Sequence, residues 1–519
     1  MVESDVVVPP RSGRRGSGGR AERQQRRATA ENQTPAYIKR NIPYPSLLDE
    51  EALERIEARA DRILAEIGIE FRDDPEALSI WRKAGVQVDG TRVRFEPGQA
   101  RALCKTAPSQ FTQVARNPAR SVVIGGPHAV FAPVYGPPFV RCLEKGRRYG
   151  ALEDFENLVK LAYSLPSLHH TGFTICEPCD VAVNKRHLDM MYAHMRYSDK
   201  PFLGAITAQD RAEDCVAMAR ILFGSEIMDE NCVIMAMANT NSPLVVDKVV
   251  TEAVRTYSAA GQGMIITPFI LMGAMSPVTV AAAVAQALAE TLAVCAFTQL
   301  VRPGAPFVMG SFLSTISLKS GAPTFGTPES SLATYALGQI ARRLGVPVRF
   351  GGSFTTSKVA DAQAGYESAE AMHATAMSGA NFVLHSAGWL EGGLVTGFEK
   401  LVMDADRLGA YQVLLSGVSS DENGLGADAL DEVGPGGHFL GCGHTMANYQ
   451  TAFYETRLSD SDSVEKWEEA GSLDMAARAL ARWRNLLANY QAPTLDPAID
   501  EELRAYVERR KGSMTDAWY

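Results

Sequence analysis

The fold is decided by the stretch that opens with Val346-Pro347-Val348-Arg349-Phe350 and Gly351-Gly352-Ser353-Phe354-Thr355-Thr356-Ser357-Lys358 and ends at Glu391. Its first five residues form a short apolar run bounded by turn residues, the pattern of a buried strand. The glycines that follow permit backbone conformations other residues resist, so a loop comes next. Asp361 is placed to cap a helix over the Ala-rich segment Ala362 to Met377, and Gly379 to stop it. Asn381-Phe382-Val383-Leu384-His385 reads as a second strand, ending in the loop Ser386-Ala387-Gly388-Trp389-Leu390-Glu391-Gly392-Gly393. This is a strand, helix, strand unit whose two loops leave the carboxyl ends of parallel strands, where chemistry collects in α/β folds.

The same unit recurs on both sides. Strand-like runs start near Ala129, His170, Pro201, Val233, Gly263, Pro306, Val346 and Asn381. The helix-like stretches that follow them are Leu152–Tyr163, Asn184–Tyr197, Arg211–Leu222, Leu244–Ala259, Val278–Thr298, Glu329–Leu344, Ala362–Met377 and Gly397–Leu415. Ser242-Pro243, Ser276-Pro277 and Thr327-Pro328 each read as a hydroxyl cap followed by proline at the first helical position. An eightfold β/α alternation predicts an α/β TIM (β/α)8 barrel closing between about His128 and Leu415. A doubly wound open sheet is disfavoured, since no Gly-x-Gly-x-x-Gly turn follows any strand. The expected division is a disordered basic tail (1–36), a small N-terminal α/β subdomain (37–126), the barrel (127–416) and a C-terminal Gly-rich loop with a helical extension (417–519). Arg14-Arg15 in the tail precedes no apolar export core.

The 519 residues include eight scattered cysteines and carry a formal net charge of -9. Such a charge attracts neither nucleic acid nor anionic lipid. The cysteine spacing is that of a cytoplasmic protein with free thiols, not of a disulfide scaffold. No apolar run reads as long enough to span a membrane. Whether the chain forms a homo-oligomer is left open.

The strand ends define the expected site. They supply Tyr135-Gly136-Pro137-Pro138-Phe139, Thr174-Ile175-Cys176-Glu177, Asn239-Thr240-Asn241, Thr267-Pro268-Phe269 and Gly310-Ser311-Phe312, besides the opening stretch. This rim is aromatic and neutral, with few basic residues for phosphate. Aromatic faces near a carboxylate suit a methylated ammonium. Tyr135, Phe139, Phe354 and Trp389 are the candidate substrate-binding rings, with Glu391 and His385 the candidate catalytic side chains. Most buried aromatics only pack, so each needs geometric support. Cys176-Glu177-Pro178-Cys179 and the trio His438, Cys442 and His444 have zinc-like spacing. The first lacks a second cysteine pair, and the second is also a Gly-rich loop suited to crossing the barrel mouth, so no bound metal is expected.

The β/α order, Gly351-Gly352-Ser353-Phe354, Asp361-Ala362-Gln363-Ala364-Gly365-Tyr366-Glu367 and Gly434-Pro435-Gly436-Gly437-His438-Phe439-Leu440 together resemble the trimethylamine:corrinoid methyltransferase family. The likeness covers nearly all of the chain after the tail. It implies a TIM-barrel enzyme that moves a methyl group from a methylated amine to the cobalt of a separate corrinoid protein. Archaeal trimethylamine enzymes of that family carry pyrrolysine. Only the twenty ordinary residues occur here, which resembles the branch acting on glycine betaine and related quaternary amines. The resemblance makes a corrinoid (cobalamin) on a partner protein the expected cofactor. Gly436, Gly437, His438 and His444 are then the candidates to meet it, since no Asp-x-His-x-x-Gly carrier motif occurs in the chain.

Overall fold

The structure is a computed structural model that describes residues 35–518. The expected disordered tail falls almost entirely outside the described residues. Among the described residues one series of parallel ladders links seven strands: β1 (His128–Phe131), β2 (Leu203–Gly204), β3 (Met235–Thr240), β4 (Gly263–Met272), β5 (Phe307–Gly310), β6 (Val348–Gly351) and β7 (Phe382–Leu384). Their ladders run β2-β3-β4-β5-β6-β7-β1. The order follows the chain without reversing, unlike a doubly wound sheet. Eight helices occupy the expected connections: α1 (Leu152–Ser164), α2 (Arg186–Tyr197), α3 (Gln209–Phe223), α4 (Lys248–Ala259), α5 (Val280–Val301), α6 (Pro328–Leu344), α7 (Ala362–Ser378) and α8 (Phe398–Ser416).

The mixed α/β fold departs from the expected eight strands at one place. Among the described residues no ladder joins β1 to β2, and the run near His170 is not a strand. Residues 168–174 occupy the gap with separate bonds to each side. The amides of His169 and His170 donate to Phe131 O, Thr171 N donates to Pro201 O, and Leu203 N donates to Gly172 O. Two imidazoles explain the irregularity. His169 Nδ1 accepts the Phe131 amide at 3.0 Å and His170 Nδ1 accepts the Gly172 amide at 2.8 Å, taking donors a ladder would use. Gly172 is left-handed, at φ +70°, which a strand does not tolerate.

Helix starts show the limits of local signals. Asp361 caps α7 by accepting from Ala364 N at 3.0 Å, and Gly379 ends it in the left-handed conformation. Thr327-Pro328 opens α6 with the proline at the first helical position as expected, but the Thr327 hydroxyl bonds the Thr315 and Ser330 hydroxyls and not the helix backbone. Ser242-Pro243 and Ser276-Pro277 open nothing: α4 is capped by Asp247 and α5 starts after Thr279. Residues Val245 and Val246 pair with Glu70 and Phe71 instead, so α4 cannot begin earlier.

The N-terminal segment shares its core with the strands. Helix Glu50–Arg62 is capped by Asp49 and buries Leu53, Ile56 and Ala60. Trp81 and Phe71 pack on Phe297 of α5, with ring centres 5.6 and 5.7 Å apart. Strand Gln110–Gln113 brings the Gln113 side chain to the amino ends of the parallel strands. There it donates to Phe202 O and Val233 O and bonds His170. At the other end of the chain, helix Pro497–Gly512 docks through Asp214 of α3. The Asp214 carboxylate accepts from Tyr506 and Arg510 and faces His187 at 2.9 Å.

One expectation about apolar runs is corrected. α5 has 22 residues and is long and apolar enough to cross a membrane by length and composition. It is a core helix here, with 83% of that window buried inside the protein. Its one carboxylate, Glu290, is fully buried and accepts from Thr240, Ser242 and the Leu244 amide. All eight cysteines are free thiols.

Candidate functional site

The loops that leave β6 and β7 are laced together. Trp389 Nε1 donates to Thr355 O at 3.1 Å, Gly392 N to the same carbonyl, and Glu391 N to Ser357 O. Glu367 of α7 fixes the first loop, accepting from the Thr355 hydroxyl at 2.6 Å and the Thr356 amide at 2.7 Å. The buried Lys400–Asp404 pair of α8 fixes the second, because Asp404 accepts the Gly388 amide at 2.9 Å. His385 and Glu391 hold positive φ, +59° and +50°, a conformation uncommon for side chains with a Cβ.

This lacing gathers an aromatic nest. Trp389 stands edge-on to His385 at 4.7 Å and to Phe354 at 4.8 Å. Phe312 lies 4.8 Å from Phe354 and 4.9 Å from Phe269, and Phe325 lies 5.5 Å from Trp389. Three expected residues, His385, Phe354 and Trp389, therefore meet. Tyr135 joins through its backbone: its amide donates to His385 Nδ1 at 3.2 Å. That bond needs an unprotonated Nδ1, and burial with the nearby Arg349 charge holds His385 well below its ordinary value. His385 is thus a neutral imidazole with its proton on Nε2. Burial pushes the Tyr135 hydroxyl up to about 12 despite its bond to Thr174, so it too stays neutral.

Phe139 and Glu391 are not brought into this nest. The Glu391 carboxylate pairs with Arg147 at 3.0 Å, and the Arg147 guanidinium lies 3.6 Å over the Phe139 ring. The ring also lies near Tyr149, at 4.4 Å, and packs on Ala364, Leu390 and Val395. Sequence alone missed Arg147 because it sits on the hairpin strand Gly146–Tyr149 and not at a parallel-strand end. Phe325 was missed as well, since it lies in a loop before α6; an aromatic just before Gly326 and two residues after Pro323 was its one signal.

The Gly-rich loop stands apart from the nest in its bonding. Its hydrogen bonds run to Leu430, Glu432 and Thr445, and His444 Nε2 to Asn423 O at 2.8 Å, all inside one C-terminal segment. His438, Gly436 and Gly437 are exposed. No group of three His, Cys, Asp or Glu side chains among the described residues is close enough to hold a metal ion, so neither zinc-like pattern is assembled. A cavity of about 390 Å³ lies between α7, α8 and residues 454–475, but its Lys400 and Asp404 are already paired.

The candidate site is thus an aromatic nest around a neutral imidazole at the carboxyl ends of parallel strands. Residues 15–515 match the family Trimethylamine methyltransferase (MTTB), and the chain belongs to that family. Among its relatives is the Glycine betaine methyltransferase of Desulfitobacterium hafniense (strain Y51), 40% identical over 470 residues, 90% of this chain and 98% of that one. The Trimethylamine methyltransferase MttB of Desulfitobacterium hafniense (strain DSM 10664 / DCB-2) is 25% identical over 468 residues, 88% of this chain and 92% of that one. In three dimensions the chain resembles the protein in the crystal structure of the hydroxylamine MtmB complex. The TM-score is 0.50 at 11% identity, covering 90% of this chain and 93% of the other, a likeness of fold alone.

Proposed function

We propose that this protein transfers a methyl group from a quaternary or trimethylated amine of the betaine type to the Co(I) corrinoid of a separate corrinoid protein. The observation that carries the reading is the 40% identity, along 90% of the chain, to a glycine betaine methyltransferase. The aromatic nest supports it chemically. Ring faces stabilise a desolvated cation, and the neutral His385 adds no competing charge.

A quaternary nitrogen is already cationic. When its C–N bond breaks, the bonding pair goes to nitrogen and a neutral tertiary amine leaves. The cobalt pair forms the new bond to the methyl carbon. No proton moves, so His385 orients and shields the substrate and exchanges no proton with it, while Glu391, paired with Arg147, stands outside the nest. Holding the cation with one methyl aimed outward and excluding water supply the acceleration. The proposed frame is a (β/α)8 barrel in which residues 168–174 fill the eighth place, preceded by an N-terminal subdomain (37–126) and followed by the C-terminal extension (417–519). A corrin ring is too wide for a barrel interior packed with side chains, so the acceptor approaches from outside. The exposed loop Gly434–Gly443, with His438, is the proposed surface for the carrier, and the reaction is assigned to the cytoplasm.

Mixing the protein with Co(I) cobalamin and a panel of methylated amines tests the reading. Methylcobalamin should appear with glycine betaine or a close analogue and with no amine lacking N-methyl groups. Tight amine binding without methylcobalamin, with either free cobalamin or a cognate carrier, would leave a binding protein and sink the proposal. For the loop, His438→Ala should slow transfer to the carrier and leave amine binding intact.

A further inference from the structure

Arg349 sits in the middle of β6, between Val348 and Phe350, and its side chain is buried. Ladder pairs place it in a row across the sheet: Asn239 opposite Thr267, Gly310 opposite Arg349, and Arg349 opposite Phe382. Met309 is opposite Ile266, so Thr267 and Gly310 are also neighbours. The face they share is the one away from the helices. A Cβ on Gly204, opposite Ala236, would run into Cys215 of α3 and Tyr257 of α4, so the alternate residues Met235, Met237 and Asn239 point inward.

The guanidinium is poorly served for a buried cation. One nitrogen, Nη1, donates to Ser311 O at a long 3.3 Å, and Nε has no partner. Burial alone brings its pKa down to about 9, and no carboxylate works against that. Other buried cations of this chain are satisfied. Lys200 donates to three carbonyls at 2.7 to 3.0 Å. Arg40 donates to the carbonyls of Ile42, Pro43, Ala376 and Met377. A second orphan stands across Gly310: the Thr267 hydroxyl, also buried without a partner. Gly310 keeps the space between them open, since a Cβ there would collide with that hydroxyl. Beyond Thr267, Asn239 is exposed although Ala238 and Thr240 on either side are buried, so the inner face is reached from outside at this level. A buried, unpaired cation is costly unless a partner arrives.

The carbonyl that Arg349 touches belongs to Ser311, the residue before Phe312 of the aromatic nest. We propose that Arg349, with the Thr267 hydroxyl, binds the carboxylate of the substrate, so that the site selects amino-acid betaines over quaternary amines without an acid group. The inference rests on the methylated-ammonium reading of the nest. The Arg349 charge also lies close enough to the nest to act on His385, so one small ligand carrying both charges can meet the guanidinium and the rings together. Arg349 acts here as a specificity residue and takes no part in breaking the C–N bond.

Calorimetric titration of the full chain with glycine betaine, choline and tetramethylammonium tests this, for wild type, Arg349→Met, Arg349→Lys and Thr267→Val. Wild type should bind glycine betaine on the order of 100-fold more tightly than tetramethylammonium, the effect of a buried hydrogen-bonded charge pair. Arg349→Met should lose that preference and keep its tetramethylammonium affinity, and Arg349→Lys should lie between. The thermal midpoint of Arg349→Met should equal or exceed that of wild type, because an uncompensated buried charge has gone; a purely structural arginine would lower it. Equal wild-type affinity for all three compounds overturns the anchor and leaves the methylammonium reading intact, whether or not a variant folds. Failure of wild type to bind any of them overturns both.

Discussion

Glu290 offers a quantitative test of how the site is supported. It lies fully buried on α5 and receives four donors onto two oxygens. These are the Thr240 and Ser242 hydroxyls at 2.6 Å, the Leu244 amide at 2.9 Å and Gln286 Nε2 at 3.0 Å. Glu290→Gln keeps the shape and turns one acceptor into a donor. Whichever way the new amide rotates, its NH2 meets groups that themselves need an acceptor. If it faces Leu244, a buried amide is left unsatisfied at about 1–3 kcal/mol. The two hydroxyl bonds also lose their charge assistance, about 0.5 kcal/mol or more apiece. The total is about 2–4 kcal/mol, placed on the tip of β3 that carries Asn239. Hydrogen exchange of residues 240–246 measures it directly. Amide exchange at Leu244 should quicken by about 30-fold or more, and the urea midpoint should fall. Exchange within twofold of wild type, with an unmoved midpoint, would refute the reasoning.

Trp389→Ala removes a face of the nest and should weaken binding of a quaternary amine by about 30-fold, from a cation contact of about 2 kcal/mol; Trp389→Phe should stay within about fivefold, and unchanged affinity in a folded Ala variant counts against this placement. His169, His194, His170 and His385 are held neutral by burial, the first at about 3 and the second at about 4, the others well below 6.5. Their unfolded forms take up protons below pH 6.5 and the folded forms do not. Stability should thus be full above that pH and fall by up to about 5 kcal/mol per unit once all four titrate, a trend that a flat thermal midpoint from pH 7 to 5 would contradict. Asp214 is opposed by its own burial but held at about 2 by the bonds from His187, Arg510 and Tyr506. Its contribution is complete above its ordinary value of 3.8 and lost as pH falls through 2. Asp214→Asn should loosen helix Pro497–Gly512, seen as faster exchange there at pH 7 and little difference from wild type near pH 2.

The helices and their order were legible in the sequence because long periodic segments, caps and stopping glycines are local signals. The eighth strand was not. His169 and His170 look like part of a strand until their imidazoles are seen to take the amides of Phe131 and Gly172. The site was half legible. Loops after β6 and β7 announce themselves by glycine and aromatic content, which located Phe354, His385 and Trp389. Phe139 and Glu391 looked equally suitable, but Arg147 occupies both, and pairing between distant segments has no sequence signature. Arg349 was read as one residue of an apolar run. A charged residue between Val348 and Phe350 in a strand covered on both faces is itself a signal, and its meaning rests on the absence of a nearby carboxylate, which only three dimensions reveal.

A 22-residue helix that is mostly apolar and buried nearly all round also matters before folding is complete. During synthesis Val280–Val301 emerges ahead of residues 307–384, so β5, β6 and β7 do not yet exist to cover it. In that interval it has the composition that membrane-insertion machinery accepts. Glu290, near its midpoint, works against that fate, since a charge at the bilayer centre costs about 3 kcal/mol on insertion scales. The partners of the same carboxylate, Thr240, Ser242 and Leu244, precede it in the chain and are already available. One residue thereby biases a nascent segment away from lipid and toward the strand tip it will later hold. A leucine in its place would remove both influences at once.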